Sequence, residues 1–287
     1  MRRFSLALAA VAVSATTLAA QATWQPIGTP TNTPGAGAAY WNNRSDDNVG
    51  SAICNVGSVL SNTPSTLTPT SCSNQSPSVF LPVLPTRLGA SATFLGGPSG
   101  AAPTGGFLFG AGAYSWSALG RIAGLAGTQW GFIEFGPGGS VVVTNGTAAG
   151  SRTFANNFAV WIDAAIGSDG PGRTRYTSNL LVTNPALTLA PAATTNQQFA
   201  VFTNGAGPAV TGGVIGFNVG TTFFVGMEDN SNGGRGFGAG NSALAISDRD
   251  YNDIMIQLTA VPEPSTYVLM ATGLAALAGL ARRRRSN

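Results

Sequence analysis

Short apolar or alternating runs recur along the chain, each bounded by clusters of Gly, Asn, Pro and Asp. They fall at residues 79–84, 107–116, 129–135, 141–143, 158–162, 180–182, 198–202, 214–219, 222–227 and 254–258. All are of strand length and rich in Val, Ile, Phe and Thr, and no long stretch repeats its apolar residues at helical spacing. The cleanest alternation is Ile254-Met255-Ile256-Gln257-Leu258, which places Ile254, Ile256 and Leu258 on one face. The pattern predicts an all-β fold, a β-sandwich of jelly-roll-like form over residues 23–260, with the last strand leading straight into the C-terminal segment.

Residues 23–75 read differently. They are rich in Pro, Asn, Thr and Gly and show little periodicity, which predicts an irregular lead packed against the sandwich. Trp24, Tyr40 and Trp41 are its apolar anchors, or alternatively a platform on which sugar rings stack. No internal repeat of fixed period occurs, so solenoids and propellers are excluded.

The two ends have patterns of their own. Met1-Arg2-Arg3, an apolar stretch over residues 4–18 and Ala20-Gln21-Ala22 are the three parts of a secretory signal peptide, cleaved by signal peptidase after Ala22. At the other end, Pro262-Glu263-Pro264 precedes an uncharged run over residues 265–281 and then Arg282, Arg283, Arg284 and Arg285. Seventeen residues is the low end of what a bilayer-spanning helix needs. The pattern predicts a short, weakly apolar transmembrane helix held by a cytoplasmic arginine cluster, with everything before Pro262 outside. The two prolines predict an extended, protease-readable segment.

This C-terminal arrangement resembles the PEP-CTERM protein-sorting domain of Gram-negative bacteria over residues 261–285. The resemblance implies recognition and cleavage near Pro262, Glu263 and Pro264 by an exosortase, a membrane transpeptidase-like enzyme. It further implies transient anchoring in the inner membrane and delivery to the cell surface or an exopolysaccharide matrix.

Charge follows from this division. All 14 basic residues are Arg, and the formal net charge is +3. Six of the arginines lie in the two terminal segments, so residues 23–263 keep eight Arg against 11 acids, a balance of −3. Clustered cations for a nucleic-acid backbone are therefore lacking. With no His and no Lys, the chain also excludes Ser-His-Asp and Cys-His catalysis, His-ligated zinc, Schiff-base chemistry and a P-loop lysine.

Cys54 and Cys72 are the only cysteines. In an exported chain they predict a disulfide worth about 3 kcal/mol in the chain-entropy model, whereas two isolated thiols without His cannot complete a zinc site. Five of the 11 acids fall in two groups, Glu228-Asp229 and Asp248, Asp250 and Asp253. With Asn230 and Asn252 they form a set of hard oxygen donors suited to Ca²⁺. The alternative is turn capping through nearby backbone amides. The span from residue 223 to 258 also resembles a DUF4114-like module of secreted bacterial proteins, in which these acids are suspected metal ligands and no enzymatic activity is established. Glu134, alternating with apolar neighbours, reads as an outward strand residue.

These observations predict an exported, non-enzymatic protein associating with exopolysaccharide. The alternatives are a polysaccharide-modifying enzyme that uses a carboxylate pair and a structural subunit that self-associates through sheet edges.

Overall fold

The structure is a computed structural model. It describes residues 22–28, 39–41, 56, 60, 88, 91–97, 99, 101, 103, 105–120, 129–164, 174–178, 198–228, 251 and 254–285. Among these residues fourteen strands form two sheets. The first, sheet A, has the order β1 (Thr23–Pro26), β2 (Ala92–Gly96), β10 (Phe199–Asn204), β13 (Thr222–Met227), β14 (Ile254–Ala260), β4 (Gly112–Gly120) and β7 (Ala149–Phe154). Sheet B has the order β11 (Val210–Thr211), β12 (Val214–Ile215), β3 (Leu108–Phe109), β8 (Phe158–Ala164), β5 (Gln129–Phe135) and β6 (Val141–Asn145), and β9 (Thr174–Thr177) also pairs with β8.

The two sheets face each other across one aromatic-rich core. Sheet A supplies Tyr114, Trp116, Phe223, Val225, Ile256 and Leu258, and sheet B supplies Phe109, Phe132, Phe158, Val160 and Ile162. Rings meet across the gap: Tyr114 lies edge-on to Phe158 at 5.1 Å, and Phe109 edge-on to Phe223 at 5.3 Å. Edge-to-face pairing sets a ring's positive rim against its neighbour's negative face, and each fully buried Phe adds about 2–3 kcal/mol by leaving water. The alternation read from residues 254–258 is the observed one: Ile254, Ile256 and Leu258 point into this core.

Among the described residues each sheet has seven strands, and β12 pairs with β3 in parallel. The expected run at residues 214–219 shortens to the two-residue β12, and five strands (β1, β2, β7, β9 and β11) have no counterpart in the apolar runs. The runs at residues 79–84 and 180–182 lie outside the described residues.

The N-terminal lead is partly regular. It opens as β1, which pairs with β2 through Trp24↔Leu95 and ends at Pro26 on the sheet's outer edge, where the missing N–H costs nothing. Trp24 stacks on Phe223 and donates its indole N–H to the Pro208 carbonyl at 2.7 Å. Beyond it, Ile27, Trp41, Val56, Leu60 and Leu88 close over the outer face of sheet A, against Ala92, Phe94, Ala200 and Phe202. Trp41 is completely buried, edge-on to Phe94 and Phe202. The aromatics of the lead are anchors, and Trp41 presents no face for a sugar ring.

Residues 264–285 form helix α1 (Pro264–Arg285). The expected helix is there, five residues longer than its uncharged run, because Pro264 opens it and the four arginines continue it. Among the described residues, however, no helix is long and apolar enough to cross a membrane, which corrects the expected transmembrane helix. The physical reason is composition: the uncharged run is short, much of it is Ala, Gly, Ser and Thr, and four arginines follow.

Candidate functional site

The site is built on the end of β14, an interior strand of sheet A. β14 is hydrogen-bonded on both sides, to β13 and to β4, and its ladder runs to the pair Ala260↔Tyr114. Three further backbone bonds close that end. Ala260 N–H donates to Thr221 O at 2.9 Å, Gly220 N–H donates to Ala260 O at 2.8 Å, and Val261 N–H donates to Ala113 O at 2.9 Å. There the sheet stops for a chemical reason, because Pro262 has no N–H to extend the ladder.

Only three residues, Val261, Pro262 and Glu263, separate strand from helix, and Glu263 is exposed. At about 3.3 Å per residue this extended segment reaches about 10 Å. Pro264 departs from expectation. It does not exclude helix but opens α1, where its fixed φ and missing N–H suit the first helical position. Beyond it, Leu269, Leu274, Leu277 and Leu280 are 60–77% exposed. Arg282 and Arg283 are exposed, and the backbones of Arg284 and Arg285 complete the helix. A rigid strand end, an accessible extended segment and a helix with solvent-facing leucines thus follow one another within 26 residues (260–285).

Of the proposed calcium ligands, only Glu228 is among the described residues. It directly follows β13, is completely buried, and donates its N–H to Gln198 O at 3.0 Å. Asp229, Asp248, Asp250 and Asp253 lie outside the described residues, as do Cys54 and Cys72. Among the described residues no group of three or more metal-binding side chains occurs. Tyr251 marks the neighbourhood as constrained: it is buried at a φ of 59°, rare for an aromatic residue. Its carbonyl lies where a side chain on Gly226 would stand, so residue 226 must be glycine for the chain to pass here.

Glu134 is not the outward residue its alternation suggests. It is 5% exposed and points into the gap between the sheets. Its Oε2 lies 2.9 Å from Arg152 Nη2, and its Oε1 accepts from Asn156 N at 2.9 Å and Asn156 Nδ2 at 3.2 Å. Arg152 also donates to Thr144 Oγ1 and lies 5.1 Å from the Phe154 ring centroid. The partners that occupy this carboxylate are an arginine and an amide, and no second carboxylate is among them. Sequence reading missed Arg152 because a lone Arg in a Gly- and Ser-rich strand carries no signal of its partner on the opposite sheet.

Fold and site together define an all-β sandwich carrying a C-terminal processing tail. Residues 260–285 match the family model described as the PEP-CTERM protein-sorting motif. The motif indicates an exported protein processed by exosortase, a membrane-associated, sortase-like enzyme. No curated protein and no solved structure matches the chain.

Proposed function

We propose that the chain is an exosortase substrate whose mature sandwich, freed of its tail, is a non-enzymatic component of the cell surface or extracellular matrix that associates with exopolysaccharide. The observation that carries this reading is the junction. Val261 N–H still bonds to the sheet, and the Pro262-Glu263-Pro264 signature begins at the next residue. Cleavage there removes α1 and leaves every strand of the sandwich intact. The exposed leucines of α1, unfavourable in water, give the tail an apolar surface that the membrane-associated enzyme can cover before release. The terminal arginines add attraction to anionic headgroups.

The exposed acid of the motif, Glu263, and the buried Glu228 divide the work: one is read by the processing enzyme, the other belongs to the fold. A calcium ion bound by Glu228 together with Asp229, Asp248, Asp250 and Asp253 would neutralise a carboxylate that burial penalises. A melt with and without chelator tests that part, and equal melting temperatures overturn it.

The main test deletes Pro262, Glu263 and Pro264 and compares the mass of the exported protein with that of the wild type. Retention of the helix is expected, and an unchanged mature mass overturns the processing reading. Co-sedimentation of the processed protein with the producing cell's own polysaccharide tests the association, and no binding above that of an unrelated sandwich overturns it.

A further inference from the structure

We infer that the free edge of sheet B at β6 pairs with the same edge of a second copy, in antiparallel register with Val143 opposite Val143. Among the described residues β6 is the terminal strand of its sheet. Its register with β5 is unbroken from Gly131↔Asn145 to Phe135↔Val141. Two flanking bonds set the parity: Gly146 N–H donates to Trp130 O at 2.7 Å and Gly136 N–H donates to Ser140 O at 2.8 Å. Hydrogen-bonded pairs alternate along an antiparallel ladder, so positions 140, 142, 144 and 146 face β5. Val141, Val143 and Asn145 therefore direct their N–H and C=O groups outward.

Three such positions spaced by two residues are self-complementary about a two-fold axis. With Val143 opposite its own copy, Val141 falls opposite Asn145, and all three pairs are of the hydrogen-bonded kind, giving about six bonds in all. The side chains favour the same contact. Val142 is 50% exposed and Val143 42%, on opposite faces of the strand, so both faces of the edge hold apolar surface that pairing would cover.

The devices that normally keep an edge single are missing here. Residues 141–145 include no charge and no proline, and their pairing with β5 has no bulge. Among the described residues, Arg152 is paired with Glu134 and also donates to Thr144 Oγ1, so it is not free to guard the edge. The other edges are blunter: β11 has two residues, β1 has four and ends in Pro26, and β7 presents Ser151 and Thr153 with no large exposed apolar side chain. The occupant that fits is thus a second copy of this chain, whose uncharged edge adds no repulsion. This pairing goes beyond the polysaccharide reading and does not depend on it.

Sedimentation velocity on the full chain, at rising concentration, tests the pairing. A dimer is expected for the wild type, and a monomer throughout overturns the inference. Val143→Lys and Val143→Glu each place like charges opposite one another at the axis and are expected to weaken the dimer about a hundredfold. Their melting temperatures, compared with the wild type's, show whether each is folded. Mixing the two folded variants is expected to restore a dimer, because Lys then faces Glu. Persistence of the dimer in either variant alone, or no recovery on mixing, overturns the register. Should a variant melt early, Thr147→Lys, exposed but outside the paired segment, together with Asn145→Lys inside it gives the same contrast: only the second is expected to dissociate, and equal behaviour overturns the proposal.

Discussion

Glu134 on β5 and Arg152 on β7 join opposite sheets of the sandwich through a 2.9 Å ion pair at its β6–β7 side. The glutamate side chain is 7% exposed and the arginine 29%, so the pair is enclosed at one end and wet at the other. Arg152→Ala removes the charge partner, the bond to Thr144 and the contact with Phe154, while Asn156 still donates to the stranded carboxylate. Breaking a fully buried pair costs about 3–5 kcal/mol, and the exposed arginine end lowers the expectation to about 2 kcal/mol. For a domain of this size that is a fall of about 4–8 °C in melting temperature, checked by calorimetry. Glu134→Gln, which keeps the shape and an acceptor for Asn156, is expected to cost less. The reverse order would show that the carboxylate is held more by Asn156 than by Arg152.

Trp41 tests the outer layer. It is fully buried against Phe94 and Phe202, so Trp41→Ala leaves a large cavity and is expected to cost about 3–5 kcal/mol. Were it a sugar platform, the substitution would weaken glycan association and leave the melt alone. A lowered melting temperature with unchanged co-sedimentation is the expected result.

Much of the sandwich was legible because its central strands are apolar on at least one face. Residues 129–135 and 222–227 were read with the bounds that β5 and β13 have, and residues 254–258 with the right face inward. β7, with the sequence Ala-Gly-Ser-Arg-Thr-Phe, was not legible, since its Gly150 is there to lie under the Trp116 indole and gives no apolar period. The direction of Glu134 was misread for a similar reason: alternation tells which residues share a face but not which face is covered, and at a sheet margin an arginine from the other sheet can cover a carboxylate. The sorting segment was legible in full as a motif, because its prolines and arginines act locally. Its distance from the last sheet bond was not, because that depends on β4 supplying Ala113 O.

The buried phenols predict how the fold responds to alkali. Burial pushes Tyr40 and Tyr114 well above their ordinary value of 10.0. Each stays protonated in the folded state at a pH where the unfolded chain has already lost the proton. The stability they contribute is complete below pH 10 and is lost as pH rises above it, at about 1.4 kcal/mol per pH unit for each group. Tyr40 OH lies 3.3 Å from Leu95 O and 3.4 Å from Phe199 O, so Tyr40→Phe is expected to cost about 1 kcal/mol at neutral pH. Above pH 10 the variant should lose stability less steeply than the wild type. Parallel curves from pH 9 to 11, measured by urea unfolding, would show that Tyr40 titrates alike in both states.

Truncation locates the boundary between domain and tail. A chain ending at Val261 keeps the whole β14 ladder, including Val261 N–H to Ala113 O, and is expected to melt within about 2 °C of the full chain, since α1 adds no strand and, among the described residues, contributes nothing to the core. A chain ending at Gln257 loses Leu258 and Ala260 from the core and their pairing with both β13 and β4. Leu258 alone is worth about 2–5 kcal/mol, and the interior of sheet A would be left with unpaired backbone on two neighbours. Against a total stability of about 5–15 kcal/mol, the second truncation is expected not to fold, as read by loss of the cooperative transition. Intermediate ends at Leu258, Thr259 and Ala260 should recover stability stepwise as each restores a ladder position. If the chain ending at Val261 also fails to fold, α1 is part of the domain, and removal of the tail by a processing enzyme would unfold the protein it was meant to release.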